Sequence, residues 1–525
     1  MTLPFTVSSK IQHNIDCYHL VNSATTMVPL YEGYLSASGL VSLAIVLVIG
    51  FSLSAAVYNV FFHPLASYPG PISHRISVIP RTAYLMRGEL PFHVTNLHTK
   101  YGPVVRIAPN ELAFCDPQAW KDIYGHKQRD QEEFPKYDGF YQPIKTTPVT
   151  IMSASRDEHA LLRRQFSHGF SDRSMKGQEP IIGAYVNLLI QRLREHGEGG
   201  SRALNMCEWF TWTTFDIIGD LGLGSSFGCL EKSSYHPWVG LISKAIRSGT
   251  YVQAISALGG QQLVTWIVQS GVWKSRQEHR RLVKAKVMQR MELGAERPDL
   301  IEGLLKKQEE WQLPIDQISV NASRLILAGS ETTATLLSGA VFLLTTNEDK
   351  LARLTQEVRS SFKDDKDITL SSVGDLSYML ACLDESLRMY PPLAGGLPRL
   401  APKGGAMVAG KFVPAGTIVS VWQWAINHDP QFWTDPWDFK PERFLGDSRY
   451  NNDRFDSMQP FSAGPRNCIG KNLAYAEMRL IMAKIIYNFD LRLADDAKDW
   501  LLTQKTYVLW DKPVLGVHMT PVRSH

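Results

Sequence analysis

The pattern of apolar and polar positions divides the chain into one uninterrupted hydrophobic run and a long body dominated by helical spacing. The run is "GLVSLAIVLVIGFSLSAAVYNVFF", residues 39–62, without a charged residue. As a helix its roughly 24 residues span about 36 Å, enough to cross a bilayer. A signal peptide would begin nearer the first methionine, with a basic leader and a small-residue cleavage site. Here the mostly polar residues 1–38 come first, so the run is expected to be a true anchor. The preceding segment carries Lys10, Asp16 and Glu32; the following one carries Arg75, Arg81 and Arg87 before the first acid, Glu89. The positive-inside rule then puts residues 1–38 in the lumen and the bulk of the chain in the cytosol. "FFHPLASYPGP" comes next. Its prolines cannot continue a helix, which predicts a stiff linker over residues 63–71.

Residues 72–525 show no internal repeat, no low-complexity tract and no long linker, so they are expected to form one large domain. "EPIIGAYVNLLIQRLREH", "SVNASRLILAGSETTATLLSGAVFLLTT", "DKLARLTQEVRSSF" and "SYMLACLDESLRMY" carry apolar residues at helical spacing. Short β-like pieces, "PVVRIAP", "KFVPAGTIVSV" and "YVLW", lie between such segments. No alternating strand–helix rhythm appears, which disfavours a doubly wound sheet. The reading is a mainly α body with a small β region.

Composition narrows the picture. The chain has 525 residues, 44% hydrophobic and 20% charged, enough apolar material for a large core. A net charge of +4 is too small to argue for nucleic acid. Six cysteines are scattered singly without a CxxC pair, which disfavours a disulfide framework and a zinc ribbon. "GPRNCIGKN" fails as a phosphate-binding loop: its glycines are spaced wrongly and Asn472 stands where Ser or Thr would hold Mg²⁺. "GLGSSFG" misses the dinucleotide fingerprint because Phe227 takes the third glycine position. A reducing cofactor is therefore expected on another protein. The sequon "NAS" at Asn321 opens a central helical segment and, on the cytosolic side, is expected to stay unglycosylated.

The candidate chemistry centres on "FSAGPRNCIG", Phe461 to Gly470. Taken alone, Cys468 is open to several roles: structural thiol, disulfide partner, zinc ligand, nucleophile or ligand to something larger. Gly464 and Gly470 flank it and permit a tight turn. Arg466 supplies positive charge, and a helix can begin just after it, whose N-terminus favours a thiolate. Without a second protein ligand nearby, a metal held here would bring its own, as haem does.

The stretch resembles the cytochrome P-450 haem-binding signature, FxxGxRxCxG, at every fixed position. "AGSETT", Ala328 to Thr333, resembles that family's oxygen-activation motif; Ala328 and Thr332 are i, i+4 and share a helix face. "ESLR", Glu385 to Arg388, resembles its ExxR pair, and "PERF", Pro441 to Phe444, the segment whose arginine joins that pair. "HALLRRQFSHGFS", from His159, resembles the helix over the haem propionates, with His where the family usually has Trp.

The resemblance implies a helical prism around a buried haem b, with Cys468 as axial ligand to the iron and Phe461 shielding its sulfur side. Thr332 would donate a hydrogen bond to the oxygen being activated, and Glu331 would relay protons from solvent. Glu385, Arg388 and Arg443 would form a structural charge network. His159, Arg163, Arg399 and Arg466 would face the propionates, and Ala328 would let a flat cofactor approach. The implied activity is insertion of one oxygen atom from O₂ into a lipophilic small molecule. Electrons would come from NADPH through a separate flavoprotein reductase, with cytochrome b5 as a further donor, at the endoplasmic reticulum membrane. The anchor and linker resemble those of filamentous-fungal enzymes of secondary metabolism, with terpenoid, polyketide or alkaloid substrates. Substrate contacts are expected near Leu325, Ala328 and Thr333, in "LAGGL" (Leu393 to Leu397) and near Val508 and Leu509. Two other readings are a haem-thiolate isomerase or dehydratase that needs no reductase, and a non-catalytic haem sensor.

Overall fold

Helices carry most of the chain in the computed structural model, which describes residues 37–128, 131–144, 147–270, 274–294, 297, 299–308 and 310–522. The N-terminal segment expected over residues 1–38 lies, up to residue 36, outside the described residues. Compactness divides the chain at residue 54, and residues 55–525 form a single unit.

The first helix, α1 (Ala37–Val57), continues as a π-helical turn to Phe62. Its large apolar side chains, such as Leu47, Val48 and Phe51, are exposed. An uncharged helix of this length with its apolar surface uncovered is a candidate membrane span.

The segment expected as a linker is docked on the body instead. Leu65 is fully buried. The buried guanidinium of Arg106 donates to the carbonyls of Asn59 (2.8 Å), Leu65 (3.3 Å) and Pro109 (2.7 Å). Arg75 donates to Val60 and Ala66, both at 2.8 Å. Two arginines thus satisfy carbonyls that the prolines leave without helical partners.

Five further helices build the site: α2 (Arg156–Gly169), α3 (Met206–Leu223), α4 (Ile315–Thr345), α5 (Ser377–Met389) and α6 (Lys471–Asn488). Helix α4 is long and apolar enough to cross a membrane, yet it is largely buried and runs through the core. It packs most extensively on α3. Gly329 makes the approach possible, since a Cβ there would lie 2.8 Å from Ile218. The sequon residue Asn321 is fully buried, donating to Gln317 (2.9 Å) and accepting from Ile151 N–H (2.9 Å). That burial bars it from glycosylation in the folded chain.

The β region is small. Strand β1 (Val104–Ala108) pairs antiparallel with β2 (Glu111–Phe114). β2 runs parallel to β4 (Ile418–Val421), which is antiparallel to the two-residue β3 (Arg399–Leu400). This sheet has its own hydrophobic cluster beside the larger helical one. A hairpin joins β5 (Lys505–Tyr507) to β6 (Leu509–Asp511). At its tip Val508 has φ of 77°, a left-handed conformation that strains a β-branched residue.

Candidate active site

Cys468 lies three residues before α6. Its N–H donates to the Phe461 carbonyl at 2.8 Å, closing the loop from the aromatic to the thiol. Gly464 is obligatory: its φ is 71°, and a Cβ there would collide with the Tyr124 carbonyl. Cys115, Cys207, Cys229 and Cys382 are buried, whereas Cys468 is exposed. Burial nevertheless pushes its thiol pKa up, opposed by the Gly470 N–H and the charges of Arg163 and Lys471. Accessible surface within desolvated surroundings means that the sulfur borders an internal space. The opposing donors are those that hold a thiolate.

Arg163, on α2, is committed to this loop. It donates to the Asn467 carbonyl (2.7 Å) and to Asn467 Oδ1 (2.6 Å). The expected propionate partner is thus engaged one residue from the cysteine. Phe461 is half-buried and packs against Tyr475, ring centroids 5.3 Å apart.

His159 and the other two arginines converge beside it. Arg399 arrives on β3, where its pairing with Val419 of β4 and its bridge to Lys136 fix its backbone. Arg466 pairs with Glu133 and donates to Ala154 O at 2.9 Å. Arg399 lies 3.6 Å from Glu133 and donates to Phe134 O at 3.2 Å, while its buried Nε has no partner. His159 is buried, and its pKa is pushed down to about 3 by burial and by Arg466, Lys136, Arg163 and Arg399. Burial, Arg399 and Arg466 hold Lys136 well below the usual lysine range. A cavity of about 400 Å³ is lined by Glu133, His159, Arg163 and Arg466. The wall carries more cationic groups than Glu133 balances, and Arg399, beside Glu133, keeps an unsatisfied buried donor. It fits a ligand that presents carboxylates. With the thiol on the neighbouring loop, these donors suit haem.

On α4, Ala328 is exposed and Thr332 half-buried, while Ser330, Glu331 and residues 333–344 are buried. The shared face of Ala328 and Thr332 therefore borders open space inside the body. Thr332 Oγ1 donates back to the Ala328 carbonyl at 2.6 Å. Glu331 points elsewhere, as adjacent helical residues must. It pairs with Lys512 Nζ at 3.1 Å, and that ammonium also donates to Thr335 Oγ1 at 2.9 Å. The structure does not bring Glu331 to Thr332. Thr333 is buried against Glu477 of α6, away from the face that was expected to meet substrate. Burial pushes the Glu477 pKa up to about 8, and the Thr333 hydrogen bond opposes this.

The charge network is complete and fully buried. Both Nε and Nη2 of Arg388 reach Glu385, each at 2.8 Å. Arg443 Nε adds a bond at 3.1 Å and the Lys440 N–H one at 2.9 Å. Arg443 also pairs with Asp453, which balances the second guanidinium. Arg388 further donates to the carbonyls of Asn427 (2.8 Å), Pro436 (2.7 Å) and Asp438 (3.2 Å), knitting 427–438 to α5.

Sequence reasoning missed Asp453, Glu133, Lys136, Lys512 and Glu477. Glu133, Lys512 and Glu477 sit far along the chain from their partners, Asp453 ten residues from Arg443 across an irregular stretch, and no local spacing marks any of the five.

An accessible thiol just before a helix, a cationic wall that suits carboxylates and a helix face with small residues are the features a haem-thiolate oxygenase needs. Comparison with known proteins gives the lineage. The cytochrome P450 family model matches residues 75–517. Cytochrome P450 monooxygenase tpeC of Talaromyces stipitatus is 49% identical over 486 residues, covering 92% of this chain and 95% of that protein. Trichothecene C-15 hydroxylase of Fusarium sporotrichioides is 44% identical over 477 residues, 89% of this chain and 95% of its own. Averantin hydroxylase of Dothistroma septosporum is 41% identical over 498 residues, 94% and 93% of the two chains. The chain belongs to the cytochrome P450 family, and it is a haem monooxygenase.

Proposed function

We propose that this chain hydroxylates a lipophilic intermediate of fungal secondary metabolism, using electrons that NADPH delivers through a membrane-bound flavoprotein reductase. The support is the accessible thiol of Cys468, set among the groups that favour its ionised form. The fungal relatives, two of them named as hydroxylases, point to the same reaction. Bound haem supplies the oxygen-activating iron, with Cys468 as its thiolate ligand.

The chain's own residues have distinct tasks in this reading. Arg399, Arg466 and His159 bind the propionates; His159, kept neutral by its cationic neighbours, donates one N–H. Arg163 fixes the loop through Asn467 and, with Lys471, favours the thiolate. Phe461 shields the sulfur. Ala328 leaves room at the reaction face, and the Thr332 hydroxyl, which bonds the Ala328 carbonyl, would hold a proton there. Glu331, held by Lys512 and apart from Thr332, would be the more distant acid of the proton path. Glu385, Arg388, Arg443 and Asp453 lock the frame and touch no reactant. Residues 39–62 anchor the enzyme in the endoplasmic reticulum membrane with residues 72–525 in the cytosol.

The test is spectral first and catalytic second. The reduced, carbon monoxide-treated protein should give the red-shifted Soret band of a thiolate-ligated haem, lost in Cys468→Ser. Product should form only with NADPH and reductase. Product formed without them would refute the monooxygenase cycle proposed here.

A further inference from the structure

The pocket expected from sequence was wholly small and apolar, and Arg324 contradicts that. It lies on α4 at i−4 from Ala328 and i−8 from Thr332, so the three share one face. That face borders the internal space: Ala328 is exposed, Thr332 half-buried and Arg324 half-buried. The polar neighbours of Arg324 are already engaged. Ser323 Oγ bonds His279 Nε2 at 2.9 Å, and Asn321 is held by Gln317 and Ile151.

Among the described residues Arg324 has no ion pair, no side-chain hydrogen bond and no aromatic ring beneath it. Burial lowers its pKa with no carboxylate opposing. A half-buried guanidinium without a counter-charge keeps its donors free for an incoming anion. Its planar fork of donors matches a carboxylate bidentately, and the match strengthens where water is excluded.

We propose that Arg324 is a specificity-determining residue that binds a carboxylate on the substrate, so that the enzyme takes lipophilic acids rather than neutral lipids. This rests on the monooxygenase reading above. Eight residues of helix rise by about 12 Å. The anionic end is thus held well away from Thr332, and oxygen is inserted at a carbon remote from the acid, not beside it.

The experiment uses the purified haem-loaded protein and two matched probe pairs: dodecanoate with methyl dodecanoate, and anthracene-9-carboxylate with its methyl ester. Dissociation constants are read from the Soret shift and independently from tryptophan fluorescence. The wild type should bind at least one acid tenfold or more tighter than its ester. Arg324→Leu should abolish or reverse that ratio while leaving the ester's affinity unchanged or improved, and Arg324→Lys should retain part of it. The leucine variant should melt no lower than wild type, because Arg324 holds nothing internal together. An acid-to-ester ratio that is equal in wild type and Arg324→Leu overturns the proposal, as does ester preference in the wild type or a leucine variant that melts markedly lower. The thiolate-type carbon monoxide spectrum, recorded on the same samples, separates the two levels. A normal spectrum with an unchanged ratio overturns the carboxylate subsite alone. An Arg324-dependent ratio in protein without that spectrum overturns only the monooxygenase reading.

Discussion

Replacing Arg388 by methionine tests the buried network most directly, because that network holds equal numbers of opposite charges. Glu385 and Asp453 face Arg388 and Arg443, and all four side chains are fully buried at the ion pairs they make. Removing Arg388 leaves two buried carboxylates sharing one guanidinium. Breaking a buried pair from one side costs about 3–5 kcal/mol. The carbonyls of Asn427, Pro436 and Asp438 also lose a donor, at on the order of 1 kcal/mol each. The sum is comparable to the whole stability of an ordinary domain, about 5–15 kcal/mol. Arg388→Met should therefore yield little folded, haem-loaded protein at 37 °C. The double variant Glu385→Leu with Arg388→Met removes one charge of each sign and leaves the Arg443–Asp453 pair intact. It should recover roughly 3 kcal/mol over the single variant. Urea unfolding followed by circular dichroism measures both, with the carbon monoxide spectrum reporting the haem pocket. A single variant within about 1 kcal/mol of wild type, or a double variant no better than the single, would refute the charge-balance reasoning.

Three other perturbations probe the reaction face and its supports. Thr332→Ala loses only a bond to the Ala328 carbonyl and should fold and load haem normally, yet divert reducing equivalents to peroxide; NADPH consumption against product and peroxide measures the coupling, and unchanged coupling excludes Thr332 from proton handling. Lys512→Met strands the buried Glu331 and should cost about 3 kcal/mol; adding Glu331→Gln should restore the melting temperature but not turnover, and full recovery of turnover would show the pair to be purely structural. Glu477 has a folded pKa near 8 against 4.5 unfolded, so its contribution to stability is present below about 4.5 and is lost as pH rises through about 8. Melting temperature should fall between about pH 6.5 and 8.5, and Glu477→Gln should flatten that slope and exceed wild type at pH 8.5. The acid limb belongs to groups such as His159, whose lowered pKa makes stability fall as pH drops below about 6.5; it should persist in Glu477→Gln, and its loss there would mean that Glu477 governs both limbs.

The residues readable from sequence are those whose partners lie within a turn of helix or inside one short loop. Glu385 and Arg388 are three apart, Ala328 and Thr332 four apart, and Gly464, Arg466 and Cys468 share one loop, so local spacing carried their geometry. Helical periodicity likewise placed the central helix, and short β-like runs marked the strands near residues 104–108 and 418–421. What was not legible depends on contacts between distant segments. Lys512 meets Glu331 across 181 positions, and nothing around either residue announces the other. Arg324 was hidden for the opposite reason: it sits in an apolar helix as any surface arginine might, and only the fold shows that its face turns inward. The contacts of residues 63–71 with Arg75 and Arg106 were not legible, because proline patterns report backbone conformation and not docking.

That docked segment sets where the chain can be shortened. A soluble form that starts at residue 72 would discard Leu65 and the carbonyls of Asn59 and Leu65, leaving Arg106 enclosed with Pro109 as its remaining carbonyl acceptor. A form that starts at residue 55 keeps both arginine clasps. Limited proteolysis of the intact enzyme should accordingly spare residues 59–75. The stretch after the candidate span is thus the first piece of the folded body, not a tether to be trimmed.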